Sequence, residues 1–298
     1  MVNQPLLLAV LAGLLGVPAA ARQLDLTKPE DIIRAEMRID CSPDAAKPRL
    51  RWMGGKIMAR RQGERDQHIL DVQALNASAC QTFEDPKRGP GYRTVTREIM
   101  FYIDPATGKV LDTWTNPWTG ETVQVIHMFN DPVNMPEPKY AYDRDGKPVP
   151  PWPGKIVGDT AMLQMANPFF RDSPMGGEYQ DYVGGKYSVL ELRTVLLPAA
   201  EWLDTEKPYP VRGISVWSRL SPWLPWMKMA GREGQTALTS TWFAVGSMND
   251  VPEPLKSTVL TKYPEFATAP PIDDPRPSVS SWDGVKAAIS ENRTRGHQ

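Results

Sequence analysis

The stretch YRTVTREIMFYIDPATGKVLDTWTNPWTGETVQVIHMF, residues 92–129, shows a side-chain alternation of period two that turn residues interrupt twice. The segments DPATG (104–108) and NPWTG (116–120) each place proline second and glycine last, which is typical of β-turns. Because short turns join antiparallel neighbours, the stretch predicts a three-stranded antiparallel meander.

The same alternation recurs on both sides of this meander. Further strands are predicted at 49–61, 68–83, 186–198, 211–220 and 235–246. Gly54 and Gly55 interrupt the first of them, where a bulge or a sharp bend is expected. Residues 130–155 are rich in proline, aspartate and aromatic residues, which predicts a loop packed over the sheet or over an opening.

Short helices are predicted near the ends of this strand-rich region. Residues 26–40 begin with Thr27 as a candidate N-cap and Pro29 in the first turn. Segments 250–264 and 280–290 have similar helix-start signals. Because no linker or repeat divides the chain, residues 22–298 are predicted to form one mainly β domain, a large antiparallel meander β-barrel with short peripheral helices.

The composition favours some partners over others. The 298 residues include 34 Lys and Arg and 35 Asp and Glu, which gives a formal net charge of −1. A chain so balanced offers no strongly basic surface, so no nucleic acid partner is expected. Ten tryptophans and nine tyrosines suggest aromatic walls, either of a large core or of a cavity for a small molecule.

The N-terminus has the features of an export signal. Residues 5–17 form an apolar run too short to cross a bilayer comfortably, and Ala19 and Ala21 precede polar Arg22. Residues 1–21 are therefore predicted to be a cleaved signal peptide, with an uncleaved anchor as the alternative because no Lys or Arg precedes the apolar run. The mature protein would be periplasmic or secreted and would have no stable membrane span.

The chain has two cysteines, Cys41 and Cys80. In an oxidising compartment they could form a disulfide, but their spacing alone leaves two buried thiols as the alternative. No CxxC or HExxH motif is present, and the histidines are not grouped with further cysteines. No metal site of the usual ligand set is therefore expected.

Three segments carry a resemblance to a known family, namely residues 104–134, 218–234 and 263–286, which include the blocks NPWTGE and SPWLPWM. Over Leu24 to Ile289 the chain resembles the bacterial and fungal family called domain of unknown function 1838. The resemblance implies a calycin-like β-barrel that is often exported and that occurs in bacteria degrading aromatic or terpenoid compounds. It implies no settled reaction and no catalytic residue.

The predicted strand 121–129 offers a candidate for proton transfer. Its alternation places His127 and Phe129 on the more apolar face, which is expected to point inward. An inward His127 beside Asn130 and Asp131 could act as a general acid or base. The alternative is an imidazole bonded to a backbone carbonyl inside an aromatic core.

Arg219 offers a candidate for anion binding, because it ends a predicted strand just before the rigid SPWLPWM corner. It could bind a phenolate or carboxylate beside Trp223 and Trp226, or it could stack on a tryptophan and brace the loop. On the strand 186–198, Glu191 shares one face with Tyr187 and Arg193. That face could line a cavity, or it could be a solvent-exposed ladder of charges.

Tyr102 lies next to a predicted turn, where its phenol could donate a proton or simply bind the backbone. The predicted catalytic residues are His127, Tyr102, Arg219 and Asp131. The predicted substrate-binding residues are aromatic or polar side chains of the same segments: Trp114, Asn116, Trp118, Phe129, Asn130, Tyr187, Glu191, Arg193, Trp217, Trp223 and Trp226.

The absence of some motifs from the sequence narrows the chemistry. It contains no serine-nucleophile, phosphate-loop or dinucleotide signature. The sequence therefore favours a lyase or isomerase that needs no cofactor and uses acid–base chemistry on a hydrophobic, phenolic molecule such as a lignin-derived dimer. The alternatives are a lipocalin-like binding protein for a hydrophobic ligand and a structural accessory of the envelope. The sequence is also compatible with a homodimer.

Overall fold

Strands form most of the regular structure in the residues that the computed structural model describes, which are 23–175, 185–207 and 213–295. The predicted signal peptide, residues 1–21, lies outside these ranges. The strands are β1 (Arg49–Arg60), β2 (Gln67–Asp85), β3 (Gly89–Ile103), β4 (Thr113–Thr115), β5 (Thr122–Gln124), β6 (Met128–Asn130), β7 (Lys139–Tyr140), β8 (Lys155–Val157), β9 (Thr160–Asp172), β10 (Lys186–Pro198), β11 (Ile214–Ser221) and β12 (Gln235–Val245). The α-helices are α1 (Pro29–Asp40), α2 (Ala199–Leu203), α3 (Leu255–Lys262) and α4 (Ser281–Arg295).

Ten of these strands build one antiparallel sheet in the order β6-β3-β2-β1-β12-β11-β10-β9-β8, with β7 paired to β3. The strands β4 and β5 form a separate two-stranded hairpin. The predicted mainly β, antiparallel architecture with few short helices is confirmed. Within the described ranges, no hydrogen-bonded pair joins the β8 end to the β6 end, so the predicted closure into a barrel is not seen.

The open sheet curves enough for distant strands to face one another. Tyr102 of β3 and Phe169 of β9 line the same cavity, although five strands lie between β3 and β9. Twist accumulates along a sheet of this size and produces such curvature. We call the concave side the inner face and the convex side the outer face.

Two glycines of β1 allow close packing instead of forming a bulge. The pairing of β1 with β12 is continuous through Gly54 and Gly55, and the irregularity in its pairing with β2 lies between Ile57 and Met58. A Cβ on Gly55 would lie 2.5 Å from the Cβ of Ser240 on β12. The prediction of a bulge at the glycines is therefore wrong, because the missing side chains serve strand-to-strand packing.

The predicted meander is only partly present. Both turns form, since the backbone N–H of Gly108 donates to the carbonyl of Asp104 and that of Gly120 donates to Asn116, each at 2.8 Å. The hairpin β4–β5 then folds away from the large sheet, and β6 returns to pair with β3. Residues 125–127 lie between β5 and β6, so the alternation expected along 121–129 is broken there.

The helix α1 packs across one end of the inner face. It begins after Lys28, whereas the sequence pattern suggested Thr27 as the N-cap. Ala35 on α1 packs against Trp202 of α2, and the indole N–H of Trp202 donates a 2.9 Å hydrogen bond to the carbonyl of Ala35. This buried contact covers the apolar residues at that end of β10.

A disulfide joins the end of α1 to the middle of the sheet. Cys41 follows α1 directly and is bonded to Cys80 of β2, with 5.3 Å between the two Cα atoms. Both residues are buried against Tyr92. Of the two states left open by the sequence, the structure therefore has the bridged one.

One predicted loop contains a strand, and one long strand was not predicted. The segment 130–155 contains β7 and runs along the edge of β3, where the N–H of Val133 donates to Thr96 O at 2.7 Å. The strand β9 has no counterpart in the sequence prediction. It pairs with β10 over its whole length.

The last two α-helices cover different faces of the sheet. On the outer face, Val259 of α3 packs in a core with Leu75 and Phe101. On the inner side, Val285 and Ile289 of α4 pack in the largest hydrophobic core. No helix in the described ranges has both the length and the apolar character needed to cross a membrane.

Candidate active site

A cavity of about 290 Å³ lies on the inner face, and we call it the aromatic cavity. Its wall comes from strands, from the corner 221–227 and from the start of α4. The aromatic residues of the wall are Tyr102, Phe169, Tyr187, Trp217, Trp223, Trp226 and Trp282. Among the described residues, the charged side chains of the wall are Arg171, Glu191 and Arg219.

The SPWLPWM corner is held in place by the NPWTG turn. The last residues of the corner, Pro225–Met227, form a short 3-10 helix. The buried side chain of Asn116 donates through Nδ2 to the carbonyl of Met227 at 3.1 Å, while its Oδ1 accepts the N–H of Trp118 at 3.0 Å. Asn116 therefore supports the cavity wall from behind and does not contact the cavity.

Trp114 and Trp118 form a second layer behind the same wall. The ring of Trp114 meets Trp226 edge-on at 5.7 Å, and the ring of Trp118 lies 5.0 Å from Trp223. All four tryptophans were predicted to bind substrate. The structure places Trp223 and Trp226 at the aromatic cavity, and it places Trp114 and Trp118 behind them.

Arg219, Tyr187 and Glu191 form a polar group within the aromatic wall. Arg219 of β11 lies opposite Glu191 of β10 in the strand register, with 3.6 Å between its Nε and the carboxylate. A terminal nitrogen of Arg219 donates a hydrogen bond to the phenol oxygen of Tyr187. The ring of Trp282 packs edge-on against Tyr187 at 4.9 Å. Of the two alternatives for this strand face, a cavity wall or a solvent-exposed ladder of charges, the structure therefore has the cavity wall.

Tyr102 lines the aromatic cavity from another strand, β3. Its ring centroid lies 5.2 Å from that of Trp226. Burial raises the pKa of Tyr102 to about 12, although the indole of Trp226 and the positive charge of Arg219 act in the opposite direction. The phenol of Tyr102 therefore keeps its proton at neutral pH and can donate a hydrogen bond to a ligand.

His127 does not line the aromatic cavity. Its Nδ1 accepts a hydrogen bond from the backbone N–H of Tyr102 at 3.2 Å, and its ring lies 5.0 Å from Phe101 of the outer-face core. Burial lowers the pKa of His127 to about 4, so the imidazole is neutral at pH 7. The neighbouring Ile126 and Met128 line the cavity instead.

Three more predicted site residues also lie away from the aromatic cavity. Asp131 forms a surface ion pair with Arg276 at 3.0 Å. Phe129 packs against the outer-face core. Asn130 donates through Nδ2 to the hydroxyl of Ser281 at 3.2 Å, which connects β6 to the start of α4. These contacts are structural, and only the last of them bears on the wall of the cavity.

Glu191 and Trp217 line both the aromatic cavity and a second space, whereas Arg193 lines only the second. We call this space, of about 210 Å³, the polar chamber. The residues that line it are Arg51, Asn76, Glu98, Asn167, Glu191, Arg193, Trp217 and Trp242. Trp217 lines both spaces, and Arg193 donates through Nε to the hydroxyl of Ser215 at 2.9 Å.

Sequence reasoning missed Phe169, Arg171 and Trp282 as wall residues. The first two lie on β9, where Pro168 and a mostly exposed set of side chains obscure the strand pattern. Trp282 lies three residues before Val285 on α4, and this helical spacing of two apolar residues was a usable signal for a buried face.

The side chains that line the aromatic cavity suit an organic anion or a phenol as the bound molecule. Two of the three charged side chains of the aromatic cavity are arginines, whose planar guanidinium groups bind carboxylate and phenolate oxygens well. In the described part of the chain, no group of three or more His, Cys, Asp or Glu is arranged to hold a metal ion.

Comparison with known proteins places the chain in a family. Residues 46–289 match the family model described as Protein of unknown function (DUF1838). The match covers more than half of the 298 residues and includes both the NPWTGE and SPWLPWM blocks. No curated protein and no solved structure matches the chain. The chain therefore belongs to the DUF1838 family, as the resemblance of its sequence predicted.

Proposed function

We propose that this protein is an exported lyase or isomerase that acts, without a cofactor, on a phenolic small molecule bound in the aromatic cavity. The observation that carries the proposal is the contact between Arg219 and Tyr187 inside a wall of aromatic side chains. The substrate class that we propose is that of lignin-derived dimers.

The wall supports binding of an aromatic ring. Trp217, Trp223 and Trp226 present large apolar surfaces, and burying apolar area contributes roughly 25 cal/mol per Å². Arg219 supplies positive charge for a phenolate or enolate oxygen, and a hydrogen bond to a charged group contributes about 1.5–3 kcal/mol. The tryptophan wall and Arg219 would together orient the aromatic ring of the substrate and the oxygen that it carries.

The proton chemistry is assigned to Tyr187. The guanidinium of Arg219 donates to its phenol oxygen, which stabilises negative charge there when the proton leaves. In the phenolate form, after its own proton has passed to solvent, Tyr187 takes a proton from a substrate carbon. It returns this proton to another carbon in an isomerisation, or to the departing fragment in an elimination, and is left as the phenolate again. Tyr102, which keeps its own proton, donates a hydrogen bond to the oxygen on which charge develops.

The proposal also includes a calycin-like fold and an oxidising cellular compartment. The curvature that brings β3 and β9 to one cavity supports a calycin-like arrangement in which the ligand lies inside a curved sheet. The disulfide between Cys41 and Cys80 is compatible with an oxidising compartment such as the periplasm or the extracellular space.

A carrier function is the second candidate. Arg219 contacts both Tyr187 and Glu191 in the structure, and such an arrangement can serve as a brace for a binding site without any chemistry. A lipocalin-like protein would use the same aromatic cavity to hold a hydrophobic ligand.

Incubation with guaiacylglycerol-β-guaiacyl ether in D₂O tests the proposal. An isomerisation through Tyr187 would introduce deuterium at a carbon of the recovered product or substrate, and an elimination would release the guaiacyl fragment. NMR and mass spectrometry detect both. Quenching of tryptophan fluorescence by the same compound reports binding. Binding without deuterium uptake or product would favour the carrier, and the absence of both would reject this substrate class.

A further inference from the structure

The polar chamber adjoins the aromatic cavity, and the two spaces share Glu191 and Trp217 as wall residues. A ligand whose ring lies against Trp217 therefore has direct access to both spaces. The chamber differs from the cavity in its lining, because six of its eight lining side chains are charged or carry an amide. Among them are two arginines from different strands, Arg51 of β1 and Arg193 of β10.

The two arginines are close enough to repel each other. Burial, and after it the positive charge of Arg193, lowers the pKa of Arg51 to about 10. Burial also lowers the pKa of Arg193. Two like charges in one confined space destabilise the fold unless an anion lies between them.

The carboxylates that line the chamber do not supply this anion by direct contact. In the part of the chain that the structure describes, neither Arg51 nor Arg193 forms an ion pair with a carboxylate. Glu191 is paired with Arg219 at 3.6 Å. Burial raises the pKa of Glu98, while the positive charges of Arg51 and Arg193 act in the opposite direction. The two guanidinium groups of the chamber therefore have no carboxylate of the described residues at ion-pair distance.

Arg51 also has unused hydrogen-bonding capacity. One terminal nitrogen donates to Asn76 Oδ1 at 2.8 Å, whereas the buried Nε has no hydrogen-bond partner. Asp40, whose negative charge acts on both arginines, accepts a 2.7 Å hydrogen bond from the phenol of Tyr92. A buried donor without a partner costs about 1–3 kcal/mol, which a bound carboxylate would recover.

We propose that the polar chamber binds the carboxylate of an aromatic carboxylic acid whose ring occupies the aromatic cavity. This inference rests on the proposed function and names its substrate class. The carboxylate receives charge-assisted hydrogen bonds from Arg51 and Arg193, and the ring lies against Trp217. The acid group thereby fixes one orientation, in which the far end of the substrate points to Arg219 and Tyr187.

Calorimetric titration with two matched probes tests the inference. Biphenyl-4-carboxylate and biphenyl-4-carboxamide have the same rings and differ in charge at one end. The wild-type protein is expected to bind the carboxylate at least about tenfold more tightly than the amide, as a charged hydrogen bond predicts. Arg51→Gln and Arg193→Gln should each reduce this preference below about threefold and leave the affinity for the amide nearly unchanged.

Arg60→Gln is the matched control, because Arg60 lies on the same strand as Arg51 but forms an exposed ion pair with Asp66. It should keep the full preference. If Arg193→Gln does not fold, Arg193→Lys should retain part of the preference, since it keeps the charge but not the planar fork.

The outcomes separate this inference from the proposed function. Equal binding of the two probes by the wild-type protein would overturn the carboxylate site and leave the aromatic cavity standing as a binding site. A preference that survives both Gln variants but disappears in Arg219→Gln would place the carboxylate at Arg219 and also overturn the inference. Failure of both probes to bind would reject the chamber site and the aromatic cavity together.

Discussion

The guanidinium of Arg219 donates a hydrogen bond to the phenol oxygen of Tyr187, although the residue opposite Arg219 in the strand register is Glu191. Arg219 thus reaches diagonally across β10 and contacts an acid on one side and a phenol on the other. Since this contact lies in a mostly aromatic wall, its charge is less screened than it would be in water.

Tyr187→Phe removes the proposed proton carrier and keeps the ring that packs against Trp282. We expect turnover of the phenolic substrate to fall by about 10²–10⁴, the usual contribution of general acid–base catalysis. The dissociation constant, measured by tryptophan quenching, should change by less than about threefold because ring packing is retained.

Tyr142→Phe is the control for this substitution, since it removes a phenol that donates to Glu30 at 2.9 Å and does not line the aromatic cavity. Its turnover should equal that of the wild-type protein. If Tyr187→Phe keeps wild-type turnover as well, Tyr187 is not the proton carrier.

Alternation of side chains predicted the long central strands well. The observed bounds of β10, Lys186–Pro198, agree with the prediction, and those of β1 and β12 differ from it by one residue at one end. These strands have one buried and one more exposed face, which imposes a period of two on the sequence. The strand β9 was missed because most of its residues are exposed, so burial imposes little pattern on them.

The inward direction of single residues was harder to predict. The strand expected at 121–129 is interrupted at 125–127, and β6 pairs with β3 whereas β5 belongs to the separate hairpin, so the alternation of β5 does not continue into β6. For this reason Ile126 and Met128 line the aromatic cavity while His127 does not. Arg219, Tyr187 and Glu191 lie on uninterrupted strands, where the alternation predicted the shared face of Tyr187 and Glu191.

Asn116→Ala should loosen the wall of the aromatic cavity from behind. The side chain makes hydrogen bonds to the backbone of Met227 and Trp118 while buried, so its loss leaves buried backbone groups without partners. We expect the free energy of unfolding in urea to fall by about 2–3 kcal/mol. Near-ultraviolet circular dichroism should change because Trp114, Trp118 and their partners repack.

The exposed Asn249 provides the matched control for this loss of an asparagine side chain. Asn249→Ala should change the free energy of unfolding by less than about 0.5 kcal/mol and leave the aromatic spectrum intact. Equal effects of the two substitutions would show that Asn116 has no special role in holding the corner.

Removal of the disulfide by a paired Cys41→Ala and Cys80→Ala substitution should destabilise the protein. The bridge closes a loop with a sequence separation of 39 residues. On the chain-entropy model such a loop contributes about 4 kcal/mol by restricting the unfolded chain. Urea unfolding measures this difference, and thiol titration of unreduced, denatured wild-type protein should detect no free thiol. Two free thiols would contradict the bridge.

Export can be tested by intact mass. If residues 1–21 are a cleaved signal peptide, the protein recovered from the periplasm or the medium should begin at Arg22. A mass that retains residues 1–21, or recovery only from the cytoplasm, would contradict the prediction.

The pH dependence of the unfolding free energy separates a structural from a catalytic role for His127. In the folded protein, burial lowers the pKa of His127 from its ordinary value of 6.5 to about 4. The unfolded chain therefore takes up this proton first as the pH falls. The free energy of unfolding should decrease by up to about 3 kcal/mol between pH 6.5 and pH 4 because of this residue, and this effect should level off below pH 4.

His127→Gln removes this titration, so the difference in unfolding free energy between wild type and variant isolates it from the carboxylates that titrate in both. At pH 7 the variant should be less stable by about 1–3 kcal/mol, since the N–H of Tyr102 loses or weakens its 3.2 Å hydrogen bond. Near pH 4 the difference should vanish or reverse. Turnover per folded molecule should stay unchanged, because His127 does not line the aromatic cavity.

His68→Gln, which removes a surface histidine paired with Asp71, serves as the control. A stability difference that does not vary with pH would contradict the buried, neutral imidazole, and a large loss of turnover in His127→Gln would return this residue to the catalytic site.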